Sequence, residues 1–150
     1  MLKKIQQFFK DNLELSNNDS STQQHKVDLA AAALLIELSR ADFDISSIEQ
    51  QAIEQALVKT LGLAQTELNE LIALAEAENQ QATSLYEFTR HINEAYTPEQ
   101  KFELLKALWQ VAVADGEISK YEDHLIRKIA DLIYAPHSDF IKSKLAVINN

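Results

Sequence analysis

At 150 residues, 46% hydrophobic and 25% charged, the chain is long enough for one domain with a buried core and has the balance of a globular protein. A formal charge of −9 argues against nucleic acid as a partner, because a phosphate backbone would be repelled and no basic stripe reverses the sign. With no cysteine, disulfides, zinc–thiolate centres and thiol catalysis are excluded, and a reducing, cytoplasmic location is the expectation.

The N-terminus, "MLKKIQQFFKDN", has no long apolar core and no small-residue cleavage site, so it does not read as a signal peptide. A short helix is predicted near 2–11. Leu2, Ile5 and Phe9 share one face with Leu13, and Lys3, Lys4 and Lys10 add positive charge. A helix of this kind can lie on an anionic membrane surface or dock a membrane complex through residues 1–13, although packing on its own domain is the favoured expectation. The polar stretch "LSNNDSSTQQ" that follows predicts loose attachment. The chain is therefore divided at 1–21, N-terminal helix and linker, and 22–150, a helical domain whose fold should survive removal of residues 1–16.

Beyond the linker, apolar residues recur at three and four and no run alternates as a strand does. Helices are predicted near 22–42, 47–61, 66–79, 84–95, 98–114, 120–134 and 138–148. The expected fold is all-α, one domain of seven to eight helices. "DLAAAALLIEL" and "FELLKALWQVAVA" are apolar on most faces, which marks central, buried helices and makes Phe102 and Trp109 core residues. The longest unbroken apolar run, Leu29–Ile36, is too short to span a bilayer. All four breakers fall at helix boundaries: Gly62 and Gly116 as C-terminal stops, Pro98 at N1 behind Thr97, and Pro136 as a stop.

The chain repeats itself. "ADFDISSIE" (41–49) aligns without a gap on "ADGEISKYE" (114–122), and Ile53 and Leu38 match Ile126 and Val111. Each copy is a buried helix, an acidic turn and an amphipathic helix. One such hairpin could not bury its apolar faces alone; two packed about a pseudo-twofold axis could.

Part of each turn is explained by capping. Ser46-x-x-Glu49 and Ser119-x-x-Glu122 are capping boxes, and acids in a first helical turn meet the positive end of the macrodipole. Capping leaves four acids unexplained. Asp42 and Asp115 end the preceding helix, where a carboxylate is unfavourable, and Asp44 and Glu117 add a second negative charge to each turn. Only Arg40 in copy one and Lys120 in copy two oppose them. Two carboxylates 4 Å apart repel by about 1 kcal/mol in water and about 4 kcal/mol at an intermediate dielectric, a cost that a hard cation such as Ca²⁺ or Mg²⁺ would remove. From Asp115 onward the stretch D-G-E-I-S-K-Y-E also follows the second half of an EF-hand loop, but Val111 and Val113 stand where the first ligands of that loop would be.

The duplicated A-D-x-x-I-S-x-x-E pattern, the buried "LLKALWQVAVADGEIS" and the following "YEDHLIRKIADLI" resemble the tellurite-resistance TerB family over roughly residues 25–148. The resemblance implies an all-helical globular fold and a link to bacterial chemical-stress responses and membrane-linked complexes. It further implies a metal site formed by Asp42, Glu49, Asp115 and Glu122, with Asp44 and Glu117 next in line. Phe43 departs from the pattern, standing where copy two has Gly116, so the first turn is expected to bind less well.

Other chemistry is poorly supplied. His124 is two residues from Glu122 and so points to a different helix face; His25, His91 and His137 are remote in sequence. Ser46 and Ser119 are better used as caps than as nucleophiles, and two isolated glycines make no phosphate loop. The reading is a non-catalytic module that binds a divalent cation or a protein partner through paired acidic turns. A metal-dependent hydrolase and a purely structural interaction domain are the alternatives.

Overall fold

Two glycines and two prolines in 150 residues leave long stretches in which nothing interrupts helix propagation. The computed structural model describes residues 7–13, 20–40, 46–77, 81–114, 118 and 120–148. Among them are eight helical segments and no strand. These are α1 (Phe9–Leu13, a π-helical turn), α2 (Ser20–Arg40), α3 (Ser47–Leu61), α4 (Gln65–Ala77), α5 (Gln81–Ala95), α6 (Pro98–Ala112), α7 (Lys120–Leu132) and α8 (His137–Ile148). No described helix is long and apolar enough to cross a membrane.

The two helices apolar on most faces form the centre. Helix α2 packs against α1, α3, α4, α5, α6 and α7, and α6 packs against α2, α3, α7 and α8. From Leu29 to Ser39 every residue of α2 is buried, and Ala30–Ala33 are small enough for neighbours to approach from every side. Trp109 is fully buried in α6, its indole N–H donating to Ser143 Oγ at 3.2 Å and its ring edge-on to Phe140 at 5.3 Å. Phe102, expected in the core, is only half-buried.

The duplication is visible in the packing. Helices α3 and α7 begin at equivalent residues of the repeat, Ser47 and Lys120. Leu35, Ile36, Leu38, Ile53 and Leu57 are buried, and so are their counterparts Leu108, Trp109, Val111, Ile126 and Ala130. The contacts are reciprocal: α2 lies on α6, α3 reaches α6, and α7 reaches α2. That is the cross-packing expected when two hairpins bury each other's apolar faces.

Gly62 and Pro98 mark helix ends as expected, whereas α6 closes at Val113, ahead of Gly116, which lies outside the described residues. Gly62 adopts the left-handed conformation (φ 68°) and its N–H donates to Val58 O at 3.1 Å. Thr97 caps α6 ahead of Pro98 in a complete capping box with Gln100. Helix α7 stops at Leu132, short of the expected 134, before Pro136 is reached. Tyr134 takes the left-handed position (φ 57°), with Ala135 N–H on Ala130 O at 2.9 Å and Tyr134 N–H on Asp131 O at 3.1 Å, the two bonds of a Schellman motif.

The N-terminal segment packs on its own domain, the favoured expectation, but more tightly than loose attachment implies. Phe8, Phe9 and Leu13 are buried in the same core as the rest of the chain. Phe8 meets Phe88 edge-on, Phe9 stacks on His91 at 5.1 Å, and the Tyr96 hydroxyl donates to Leu13 O at 2.8 Å. Burial pushes the Tyr96 phenol well above its usual range, so it remains a donor. Residues 7–13 are thus packed in, not loosely tethered; Leu2 and Ile5 lie outside the described residues.

Candidate functional site

Each acidic turn joins the end of a buried helix to the start of an amphipathic one, and the described residues define its two shoulders. In copy one, Ser46 is extended (φ −78°, ψ 159°) and its Oγ accepts from the Glu49 N–H at 3.1 Å. The return bond differs from the box read in the sequence: the Ser46 hydroxyl donates to Glu49 Oε1 at 3.0 Å. Glu49 is exposed, so its carboxylate keeps acceptor capacity toward solvent. Asp42, Phe43 and Asp44 lie outside the described residues.

Arg40, the base read as opposing the first turn, points elsewhere. Its Nε and one terminal nitrogen both donate to Glu54 Oε2, at 3.1 and 2.8 Å, and its other terminal nitrogen donates to Glu76. Glu54 is buried on α3 and also accepts from Gln50 Nε2 at 3.1 Å; Gln50 in turn donates to the buried Ser39 Oγ at 2.8 Å. A buried carboxylate requires a counter-charge, and Glu54 takes the nearest one. The Arg40–Glu54–Glu76 ties lace α2, α3 and α4 together.

In copy two, α6 closes at Val113, whose N–H donates to Trp109 O at 3.0 Å. Trp109 therefore sits one helical turn before the end of α6 and six residues before Asp115. Ile118 is half-buried against the core, and Glu122 is half-buried in the first turn of α7. Asp115, Gly116, Glu117 and Ser119 lie outside the described residues. Among the described residues no group of three or more His, Asp or Glu side chains gathers to hold a metal; Glu49 and Glu122 are the two candidate ligands in that set.

The family model described as tellurite resistance protein TerB matches residues 28–145. This chain belongs to the TerB family. The match begins in α2 and ends in α8, so it takes in both repeated hairpins and both acidic turns. No curated protein and no solved structure matches the chain.

Beside the second turn this TerB chain carries a feature that sequence reading missed. A surface groove of about 350 Å³ is lined by Ile118, Lys120, Asp123, His124, Arg127 and Lys144. The spacing of Lys120, His124 and Arg127 at four and three residues was legible as one face of α7. Lys144 comes from α8, and nothing local in the sequence brings it there. His124 is exposed and turned to this basic face.

Proposed function

We propose that this TerB-family chain is a non-catalytic module that binds a divalent cation, Ca²⁺ or Mg²⁺, through its two acidic turns, and that the same acidic surface engages a protein partner in a bacterial chemical-stress response. The single observation that carries the reading is the placement of Arg40. The base adjoining the first turn is committed to Glu54 and Glu76, so its charge is already spent on the α2–α3–α4 junction. A cation is then the economical counter-charge for Asp42 and Asp44, with Glu49, exposed at the start of α3, within the same turn. The second turn, Asp115, Glu117 and Glu122, is the stronger half, because Gly116 permits conformations that Phe43 resists. Attachment to a membrane complex through residues 1–13 would draw on residues 1–6, since Phe8, Phe9 and Leu13 are buried.

The test is a Ca²⁺ and a Mg²⁺ titration followed by Trp109 fluorescence and thermal shift. Binding stabilises the fold by about 2.7 kcal/mol at a hundredfold excess over Kd. Asp115→Asn and Glu122→Gln should abolish that stabilisation, and Asp42→Asn should reduce it by less. If the turns serve only as caps, Glu122→Gln is nearly silent, because glutamine also completes a capping box. Absence of any shift at millimolar cation refutes the cation site and leaves the protein-binding surface.

A further inference from the structure

The chain carries a charge of −9, yet three of its cations converge on one groove between α7 and α8. Lys120 and Arg127 come from one face of α7 and Lys144 from α8, and Asp123 is the one acid among the described lining residues. Asp123 is shared: Oδ2 lies 3.1 Å from Lys144 Nζ and Oδ1 lies 3.6 Å from Arg127. Among the described lining residues, one carboxylate stands against three permanent cations, a balance of two positive charges, with His124 beside them as a further donor.

Two of the cations are held in place by aromatic faces. The Arg127 guanidinium lies 4.6 Å from the Phe140 ring centre, and Lys144 Nζ lies 5.1 Å from that of the buried Trp109. Stacking of this kind restricts long side chains before a ligand arrives and so lowers the ordering cost of binding. Lys120 is exposed, and Ile118 is the apolar member of the described lining. The volume is at the small end of ligand sites.

We propose that this groove binds a phosphate group carrying close to two negative charges. A tetrahedral dianion matches the net charge and presents several oxygens to the planar Arg127 fork and the point charges of Lys120 and Lys144. A single carboxylate would leave one positive charge uncompensated. Two sources present this chemistry: phosphate free in solution and the exposed monoester of a lipid headgroup. The site stands apart from the cation reading, because bases outnumber the single acid among its described lining residues and it requires no metal.

The experiment uses the full chain in metal-free, low-salt buffer. One arm titrates inorganic phosphate and pyrophosphate by calorimetry. The other measures co-sedimentation with phosphatidylcholine vesicles with and without phosphatidic acid. Binding in either arm that falls about tenfold or more in Lys120→Gln/Arg127→Gln supports the site, since charge-assisted bonds are the strong ones; the responding arm identifies the source. Both side chains are exposed, so the variant should stay folded and melt cooperatively, with a small loss from the Phe140 and Asp123 contacts of Arg127. Asp123→Asn, which removes the competing carboxylate, should tighten binding. Lack of binding in both arms, or binding that the double variant leaves unchanged, overturns the proposal.

Discussion

Arg40 shows how one buried acid can redirect a residue away from a candidate site. By sequence it adjoins Asp42 and Asp44, but Glu54 is only 6% exposed and its ionised form cannot stand alone there. Arg40→Gln should therefore cost about 3 kcal/mol in chemical denaturation, since removing one member of a buried pair strands the other. Adding Glu54→Gln should recover a large part of that loss. An unchanged midpoint in the single variant would show that Glu54 is satisfied without Arg40. A second acid–base contact works with less burial. At Glu67, burial raises the carboxyl, but hydrogen bonds from His25 and the Ala64 N–H outweigh it and hold the group below its usual range.

At the scale of elements, the two copies of the repeat end differently. Helix α3 stops at Gly62, where a left-handed backbone carries no Cβ penalty. Helix α7 stops at Tyr134, which makes the same turn with a side chain that resists it and is 78% exposed. Tyr134→Gly should stabilise the protein by about 0.5–1 kcal/mol, or about 2 °C in Tm. A loss of stability would mean that the ring contributes packing that outweighs its backbone strain. The exposed aromatic does not pack into the core, so the motif, not the side chain, ends the helix.

For the whole molecule, the N-terminal segment decides where the cooperative unit begins. Phe9 is 4% exposed and Leu13 is fully buried, and the Leu13 carbonyl is bonded by Tyr96 from across the fold. Deleting residues 1–16 would uncover Phe88, His91 and Tyr96 as well as removing Phe8, Phe9 and Leu13. Phe9→Ala alone should cost about 3 kcal/mol, the usual range for a buried phenylalanine, and the deletion should lower Tm by more than that variant does. A deletion variant that melts like wild type would place the segment outside the cooperative unit.

The all-helical class, the order of the helices and the duplicated hairpin could be read directly from the chain. Each depends on local physics: the 3.6-residue period, the four breakers, and the serine and threonine caps at Ser46 and Thr97. The repeat even located the start of α7, because a capping sequence acts within one turn of backbone. What only the tertiary structure decided depends on partners far apart in sequence. Glu54 claims Arg40 across 14 residues, Tyr96 captures Leu13 across 83, and Lys144 joins Asp123 across 21. A charged or polar group is drawn to the counter-group that packing brings within reach of its low-dielectric surroundings, and proximity along the chain does not determine which group that is.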